Sequence, residues 1–509
     1  MPHSLLGNVF KKAFGVAVKA DAGAQQRLQQ HWQSRRRFVK NTALAGTGMA
    51  LAPALLNALP INKPAIVVVG AGIAGLNTVY QLQKLGYPAT LYEAASRVGG
   101  RMFTLTNYFG ESLSTDLGGE FIDGNHEDIH QLMKEMNLEY FDLRLDTAQK
   151  ERLFFDGKAY TENDLVQALQ PYIPRLAADV TALPNNITYI NADAFAHLDN
   201  LSVKEYLDEV GIHGWLYNYL DVMLSREYGM DITAQSAINF LFMLDKSGAF
   251  TEGHEIYKIK GGSQQLAKAV YQKIKPSVNL QHVLTGLKAT SKGYQLLFKH
   301  HHTTSTVLAD YVVMAIPFTV LKNIPLDVPM PAGKRKCINE FSIGNSAKFI
   351  MGVSHKPWRD DNQQGYTFTD ETFGCGWDST HMQSNTTGSF STYGGGISAN
   401  KILATAPTQL INEFKPGINK VFTGSAAALT GKQVKICWAK QPYAKGGYTS
   451  FKKGQYSSIA GWEAEPVGNL FFAGEHVSGP FQGFMNGAAQ TGRFAAEMIA
   501  ATIAANKNK

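Results

Sequence analysis

Three glycines and one glutamate near residue 70 are the first residues whose types and spacing suggest chemistry. The stretch PAIVVVGAGIAGLN, residues 64–77, contains Gly70, Gly72 and Gly75 in the order G-x-G-x-x-G, and Glu93 follows further along. Glycines at these positions permit a tight turn, a close approach of backbone to a pyrophosphate, and close helix–strand packing. A carboxylate at Glu93 can accept both hydroxyls of an adenosine ribose and would repel a 2′-phosphate. The pattern predicts a turn that binds a dinucleotide.

Such a turn needs a strand before it and a helix after it, and the flanking sequence predicts both. Residues 65–69 form a continuous apolar run, which is typical of a parallel strand buried on both faces. Residues 77–85 predict a helix, whose N-terminus would offer free N–H groups and partial positive charge to phosphates. Residues 88–94, PATLYEA, predict a second strand that ends at the glutamate.

Further glycine-rich stretches lie at both ends of the chain. ASRVGGRM follows the glutamate directly, DLGGEFIDG occupies 116–124, and NLFFAGEHVSGPFQGFMNGAAQTGRFAAEMI lies near the C-terminus. Two glycine-rich sites so far apart in sequence favour a long ligand that is bound by a domain built from both ends. FAD fits this arrangement better than NAD.

These stretches, together with KGGSQQLAKAV, YVVMAIP, GNSAKFIMGV and PYAKGGYTSF, resemble the flavin-containing amine oxidase family: monoamine oxidases, polyamine oxidases and L-amino-acid oxidases. The resemblance covers about residues 65 to 500. It implies an α/β fold with a Rossmann-like (GR2-type) FAD-binding domain and an inserted α+β substrate domain. The implied boundaries are 65–150, 255–330 and 435–505 for the discontinuous FAD-binding domain, and 151–254 and 331–434 for the substrate-binding domain.

The resemblance also assigns cofactor contacts. Val283 falls where the backbone touches adenine, Glu475 where the ribityl chain is held, and Met485 at the start of a last helix whose dipole would stabilise negative charge on the flavin. Gly447 stands where monoamine oxidases carry the cysteine that attaches the flavin, so FAD is expected to bind non-covalently. The expected cofactor-binding residues are Gly70, Gly72, Ala74, Gly75, Glu93, Gly100, Arg101, Gly118, Gly119, Glu120, Val283, Trp438, Gly474, Glu475 and Met485.

Three residues are expected to act in catalysis. In this family two aromatic rings stand perpendicular to the flavin and form a channel for a neutral amine; Tyr448 and Phe484 fall at these two positions. Lys348 lies inside an apolar strand pattern, where an unpaired lysine is costly, so it needs a partner. The family uses this lysine to hold a water beside the flavin. No metal is expected in the site.

A few residues bear on whether the substrate is an amine or an amino acid. Phe121 falls at an aromatic position facing the flavin, and Asp123 falls where some polyamine oxidases place a group that attracts a distant amine. No arginine follows Gly119, where L-amino-acid oxidases often carry one to bind the substrate carboxylate, and this favours amines. Arg226 keeps the amino-acid alternative open, because it could bind a carboxylate from the helical region.

The resemblance implies oxidative deamination of a primary or secondary amine, with oxygen as electron acceptor and hydrogen peroxide as product. A quinone or cytochrome acceptor is the open alternative. An L-amino-acid oxidase is the nearest rival function. A desaturase-type FAD enzyme and a non-catalytic flavoprotein are more distant rivals. The sequence leaves the oligomeric state open, with a dimer as one expectation.

The first 58 residues differ from the rest of the chain. Ser34 to Lys40 match the twin-arginine export pattern Ser-Arg-Arg-x-Phe-x-Lys, and a weakly apolar run follows to Leu59. This indicates recognition by the twin-arginine export machinery, cleavage near Ala58, and a periplasmic or secreted location in a bacterium. Residues 1–33 precede the motif without an evident role.

Composition sets limits on the remainder. The net charge of +7 is matched by residues 1–58, which carry eight basic residues and one acidic one. The rest is near neutral, which argues against a nucleic-acid partner. The length of 509 residues and the 44% apolar content indicate a globular protein of two or more domains. The three widely spaced cysteines form no metal-binding pattern and are expected to be buried thiols.

Overall fold

A computed structural model describes residues 8–31, 63–246, 256–383 and 386–507 of the chain. The twin-arginine motif at 34–40, the apolar run that follows it and the predicted cleavage site near Ala58 lie outside the described residues. Within the described ranges, no helix is both long enough and apolar enough to cross a membrane.

In chain order, the β-strands are β1 (Ile66–Val69), β2 (Thr90–Tyr92), β3 (Thr104–Thr106), β4 (Ser114–Asp116), β5 (Phe121–Ile122), β6 (Tyr140–Asp142), β7 (Gln149–Phe155), β8 (Lys158–Tyr160), β9 (Tyr257–Ile259), β10 (Val278–Asn279), β11 (Val283–Thr290), β12 (Gly293–His300), β13 (Thr303–Ala309), β14 (Tyr311–Met314), β15 (Leu326–Asp327), β16 (Ser346–Val353), β17 (Gln363–Thr369), β18 (Cys375–Asp378), β19 (Gly388–Gly395), β20 (Leu429–Cys437) and β21 (Leu470–Phe472).

The α-helices, in the same order, are α1 (Asn8–Lys19), α2 (22–31), α3 (Ile73–Lys84), α4 (Glu127–Glu135), α5 (Glu162–Leu169), α6 (Ile173–Ala182), α7 (Ala196–Asp199), α8 (Val203–Val210), α9 (Gly214–Glu227), α10 (Ala237–Lys246), α11 (Gln264–Ile274), α12 (Phe318–Leu321), α13 (Ala332–Glu340), α14 (Ile397–Ala404), α15 (Pro407–Val421), α16 (Ser425–Ala428), α17 (Gln455–Ile459) and α18 (Met485–Lys507).

A parallel five-stranded sheet in the order β10-β2-β1-β14-β21 gathers strands from both ends of the chain. Its central strand β1 is the apolar run IVVV, and every residue of it is buried. A strand with helices on both faces must be apolar at every position, which explains the continuous run rather than an alternating one. This sheet confirms the Rossmann-like α/β fold that the sequence predicted.

The helix after the glycine turn begins earlier than the sequence predicted. Helix α3 starts at Ile73, directly after Gly72, instead of at residue 77. A β-carbon on Gly75 would lie 1.9 Å from the carbonyl oxygen of Gly70, so glycine alone lets the helix start against the turn. The early start points the first helical N–H groups at the turn.

The C-terminal helix packs closely on α3. The Asn77 side chain donates to the carbonyl of Ala489 at 2.7 Å, and the Thr78 hydroxyl lies 3.1 Å from the carbonyl of Gly492. A β-carbon on Gly492 would lie 2.3 Å from the carbonyl oxygen of Ala74. The two ends of the chain therefore meet backbone to backbone beside the glycine turn.

Among the described residues, two larger sheets and two smaller ones complete the frame, the smallest being the antiparallel pair β3-β4. A seven-stranded sheet has the order β20-β16-β19-β18-β17-β7-β8, and a four-stranded sheet has the order β13-β12-β11-β15. In the small three-stranded sheet β5-β9-β6, strand β5 of the glycine-rich segment 116–124 pairs with β9 at residues 257–259. The domain boundaries drawn from the sequence stay a prediction.

Helix α1, which precedes the export motif, is packed into the protein. Phe10 and Phe14 are fully buried, and Phe10 lies 6.2 Å from the ring of Tyr219 and 6.0 Å from that of Phe240. The Gln170 side chain donates to the carbonyl of Ala17 at 3.3 Å. A fully buried Phe contributes about 1.5–3 kcal/mol, so α1 adds substantially to stability.

We expect Phe14→Ala to lower the free energy of unfolding by about 3–5 kcal/mol, because it leaves a cavity under α1. Val16 lies on the same helix with 42% of its surface exposed, and Val16→Ala should change stability by about 0.5 kcal/mol or less. Urea unfolding of the full chain measures both values. Equal losses for the two variants would show that α1 is not held in the core.

Candidate functional site

An elongated cavity of about 820 Å³ runs from the end of β1 to the seven-stranded sheet. Its volume lies in the range of ligand-binding sites. It is lined by most of the residues that the sequence selected, which come from segments far apart in the chain. These are Gly70, Gly72, Ala74, Glu93, Gly100, Arg101, Gly118, Gly119, Glu120, Phe121, Val283, Lys348, Trp438, Tyr448, Gly474, Glu475, Phe484 and Met485.

Two selected residues do not line the cavity. Gly75 lies behind the glycine turn, where its lack of a side chain lets α3 approach Gly70. Asp123 is buried beside His126, with 3.5 Å between its Oδ2 and the Nε2 of that ring. The attraction of Asp123 for a distant substrate amine stays a prediction. In the structure, the neighbour of its carboxylate is the His126 ring.

The glycine turn leaves space for a ligand group, such as a pyrophosphate, to approach the protein backbone. A β-carbon on Gly72 would meet no heavy atom within 4 Å, although Gly72 lies on the cavity wall. Gly70 has φ +105°, and a β-carbon there would lie 2.5 Å from the carbonyl oxygen of Ala315. Helix α3 carries no side-chain cap at its N-terminus, so its first N–H groups remain available to an anion.

Glu93 ends the second strand of the turn unit. One carboxylate oxygen accepts from the N–H of Ala71 at 2.6 Å and the other from the N–H of Ala95 at 2.7 Å. Burial raises the pKa of Glu93, and these donors oppose that rise. The carboxylate is thereby fixed at the cavity wall, where a ribose hydroxyl can reach it.

A partly buried ion pair links the N-terminal and C-terminal segments that line the cavity. Arg101 donates to Glu475 at 2.8 Å, and the other oxygen of Glu475 accepts from the Thr449 hydroxyl at 2.8 Å and from the N–H of Gly483 at 2.7 Å. Burial opposes ionisation of Glu475, but the Arg101 charge, together with the hydrogen bonds from Arg101 and Thr449, lowers the pKa of the carboxyl group. Arg101 also donates to the carbonyl of Gly447.

The open glycine, the free helix N-terminus and the fixed carboxylate together match the donor set of a dinucleotide site. No cysteine is among the described residues that line the cavity, and Cys337, Cys375 and Cys437 are all buried as free thiols. The described residues also contain no cluster of three or more side chains suited to a metal ion. The cavity fits a dinucleotide that is held without a covalent bond.

Two aromatic side chains from the sequence prediction meet at this cavity. Tyr448 is buried and donates its hydroxyl proton to the carbonyl of Arg226 at 2.6 Å. The Tyr393 hydroxyl lies 2.8 Å from the Tyr448 oxygen, and it must be the donor because the Tyr448 proton is already used. Burial raises the pKa of Tyr448 well above its usual value. Phe484 packs edge to face on His126, with 4.9 Å between ring centroids.

Lys348 has the partner that its burial requires. Its ammonium donates to Glu120 at 2.8 Å and to the carbonyls of Asp116 and Gly118 at 2.8 and 3.1 Å. These three acceptors match the three protons of an ammonium, so a water can be held only by sharing one of them. Burial lowers the pKa of Lys348, and the charge of Glu120 opposes that shift.

Arg226 does not reach the cavity. Its guanidinium donates to the carbonyls of Tyr393 and Val222, and the side chain packs against Gly374. Arg226 contributes to the site through its backbone carbonyl, which accepts the hydrogen bond from Tyr448, and not through its charge.

Sequence reasoning missed two residues. Tyr393 lines the cavity and pairs with Lys348 across β16 and β19, a register that no local pattern reveals. Lys258 is a buried lysine that binds Glu120 at 2.7 Å. Its place between apolar residues in the run YKI is the same signal that selected Lys348, and it could have been found in this way.

Comparison with known proteins agrees with this geometry. Residues 73–500 match the family model described as flavin containing amine oxidoreductase. The chain is 24% identical to amine oxidase [flavin-containing] B of Mus musculus over 469 residues, which is 86% of each chain. It is also 24% identical to the L-amino-acid oxidase of Pseudechis australis, over 86% of this chain and 87% of that one. Cyclohexylamine oxidase from Brevibacterium oxydans IH-35A shares the fold, with a TM-score of 0.77, 20% identity, and coverage of 87% and 99%.

We expect Gly72→Ala to fold normally and to raise the Kd for FAD about tenfold or more, because its new methyl group meets no protein atom but occupies ligand space. Gly479 also has open space around it and lies at the surface, away from the cavity. Gly479→Ala is therefore the matched control. Titration of the apoprotein with FAD, followed by flavin fluorescence, measures both. Unchanged affinity in Gly72→Ala would contradict a close approach at this position.

Proposed function

Because the chain belongs to the flavin-containing amine oxidoreductases, we propose that this FAD-dependent enzyme oxidises a primary or secondary monoamine. The observation that carries the proposal is the shared cavity: the glycine turn lines one end, and Tyr448, Phe484 and Lys348 line the same space. A dinucleotide site and an aromatic channel are thus parts of one continuous volume.

The chemistry divides between cofactor and protein. FAD, held by the glycine turn, Glu93, Arg101 and Glu475, would supply the oxidising power: a two-electron acceptor for the hydride of the substrate α-carbon, with oxygen as the final acceptor and hydrogen peroxide as the product. The protein's task is to orient a neutral amine and to exclude water. Tyr448 is held by hydrogen bonds on both sides of its hydroxyl, so its ring is a fixed wall of the channel. The imine product hydrolyses to a carbonyl compound and ammonia or a smaller amine.

The charges around the cavity favour a monoamine over a polyamine. Glu120 is bound by two lysines, Glu475 by Arg101, and Glu93 by two backbone N–H groups. Among the described lining residues, Glu120 and Glu475 are thus paired with cationic side chains, and Glu93 lies at the glycine turn, where it is suited to a ribose hydroxyl rather than to a substrate ammonium. The aromatic side chains that line the cavity, which include Phe121, Tyr448 and Phe484, suit a substrate whose carbon skeleton is apolar.

The position of Arg226 favours an amine over an amino acid, because its guanidinium is bound to backbone carbonyls and does not line the cavity. An L-amino-acid oxidase remains the second candidate, since the chain is as similar to the Pseudechis australis enzyme as to the Mus musculus one.

Anaerobic bleaching of the bound flavin tests this function. We expect benzylamine or cyclohexylamine to bleach the flavin at least tenfold more efficiently than putrescine or any L-amino acid, and oxygen to restore the colour with release of hydrogen peroxide. Bleaching by L-amino acids alone would support the second candidate. A flavin that no amine or amino acid bleaches would contradict both candidates. If only a quinone restores the colour, the electron acceptor is a quinone rather than oxygen.

We also propose that the enzyme is exported in folded form, with FAD loaded, through the twin-arginine route. The support is the motif at Ser34 to Lys40. Since α1 is packed in the core, a cut near Ala58 would leave it bound to the rest by packing alone.

Fractionation of producing bacteria tests the location. We expect the wild-type protein in the periplasm or medium, with peptides from residues 8–31 co-purifying under native conditions. The double variant Arg35→Lys/Arg36→Lys should accumulate in the cytoplasm with FAD bound. The same distribution for both proteins would rule out this route.

A further inference from the structure

One buried carboxylate near the aromatic channel is shared by two lysines. Glu120 accepts from Lys258 at 2.7 Å on one oxygen and from Lys348 at 2.8 Å on the other. The exposed fractions of the three side chains are 0%, 4% and 2% respectively. The indole N–H of Trp377 lies 3.2 and 3.3 Å from the two oxygens. Such a buried group is stable only because its charges and hydrogen bonds are nearly all satisfied.

The two lysines have different surroundings. Lys348 lines the cavity, whereas Lys258 lies behind Glu120 on strand β9 and does not. The second partner of Lys258 is the carbonyl of Ser379 at 2.8 Å, and its ammonium lies 5.5 Å from the ring centroid of Phe121. Lys258 is thus a buried cation outside the cavity, bound to the same carboxylate as the lysine inside it.

The shared carboxylate couples the two ammonium groups. Glu120, Asp116 and Lys258 are the charged groups that act on Lys348. Tyr393 stands opposite Lys348 in the register of β16 and β19, and its hydroxyl is bonded to that of Tyr448. Burial alone would raise the pKa of Glu120, but the two ammonium groups outweigh it and lower that pKa. The positive charge of Lys258 adds to burial in lowering the pKa of Lys348.

We propose that Lys258 is a positioning residue for Lys348: by holding one oxygen of Glu120, it fixes the carboxylate and limits how much of its charge the cavity lysine can take. The inference rests on the proposed function in taking Lys348 to face the bound flavin. Without Lys258, the carboxylate would turn wholly to Lys348 and hold its proton more tightly.

A pH titration of the absorbance of bound FAD tests the proposal without substrate. The relevant transition is the one that disappears in Lys348→Met. In Lys258→Met we expect its midpoint to rise by about one pH unit or more, because a nearby positive charge is lost. In Glu120→Gln we expect it to fall, because the negative charge that favours the ammonium is lost. Lys258→Arg, which keeps the charge, should restore the wild-type midpoint.

Lys334 provides the matched control. It is a fully buried lysine bound to the carbonyls of Trp462 and Glu463, away from the cavity, so Lys334→Met should lower stability and leave the midpoint unchanged. Shifts in the same direction for Lys258→Met and Glu120→Gln, or no shift in either, would overturn the proposal. So would a wild-type protein without a Lys348-dependent transition. Failure of every amine to bleach the flavin would instead overturn the proposed function, and this titration would still decide the role of Lys258.

Discussion

The cavity depends on one partly buried ion pair between residues 374 positions apart, Arg101 and the buried Glu475. A buried carboxylate is costly unless it is paired and hydrogen-bonded, and Glu475 meets this requirement with donors from three separate segments. The pair can therefore form only when the glycine-rich N-terminal region, the loop at Thr449 and the turn before the last helix have come together. The contacts that satisfy the charge of Glu475 are also the contacts that form this part of the cavity wall, so the cofactor site forms when that charge is paired.

The carboxylate of Glu120 plays a corresponding role at the end of the cavity that Lys348 lines. It joins the small sheet that contains Lys258 to the seven-stranded sheet that contains Lys348, and it lies on the cavity wall. Because both of its oxygens are already bound, it contributes rigidity without offering a free negative charge. Its negative charge is shared by two ammonium groups, so this carboxylate is not a site of attraction for a further cation. The charge state of the cavity follows from pairs of residues rather than from the residues that line it one by one.

The sequence predicted the parts of this site that local rules determine. The glycine turn, its strand and the carboxylate of Glu93 follow from steric and hydrogen-bonding requirements within about 30 residues, and the parallel sheet confirmed that unit. Helix α3 was placed too late, because the apolar pattern does not show that Gly75 lies against the carbonyl of Gly70 and so lets the helix begin at Ile73. The partner of Lys348 was out of reach, since Glu120 lies 228 residues away in sequence. The same limit applies to Tyr393, whose place depends on the register between β16 and β19.

The N-terminal helix shows how packing changes the meaning of a sequence signal. Residues 1–58 read as a leader because of their charge and the motif at 34–40. Yet Phe10, Phe14 and Leu28 on one side of the motif, and Ile66 on the other, are all buried in the folded protein. The motif is therefore flanked on both sides by residues that belong to the folded core. The packing of α1 is no obstacle to the proposed twin-arginine route, which carries folded proteins, whereas threading of an extended chain would require the buried side chains of α1 to leave the core first.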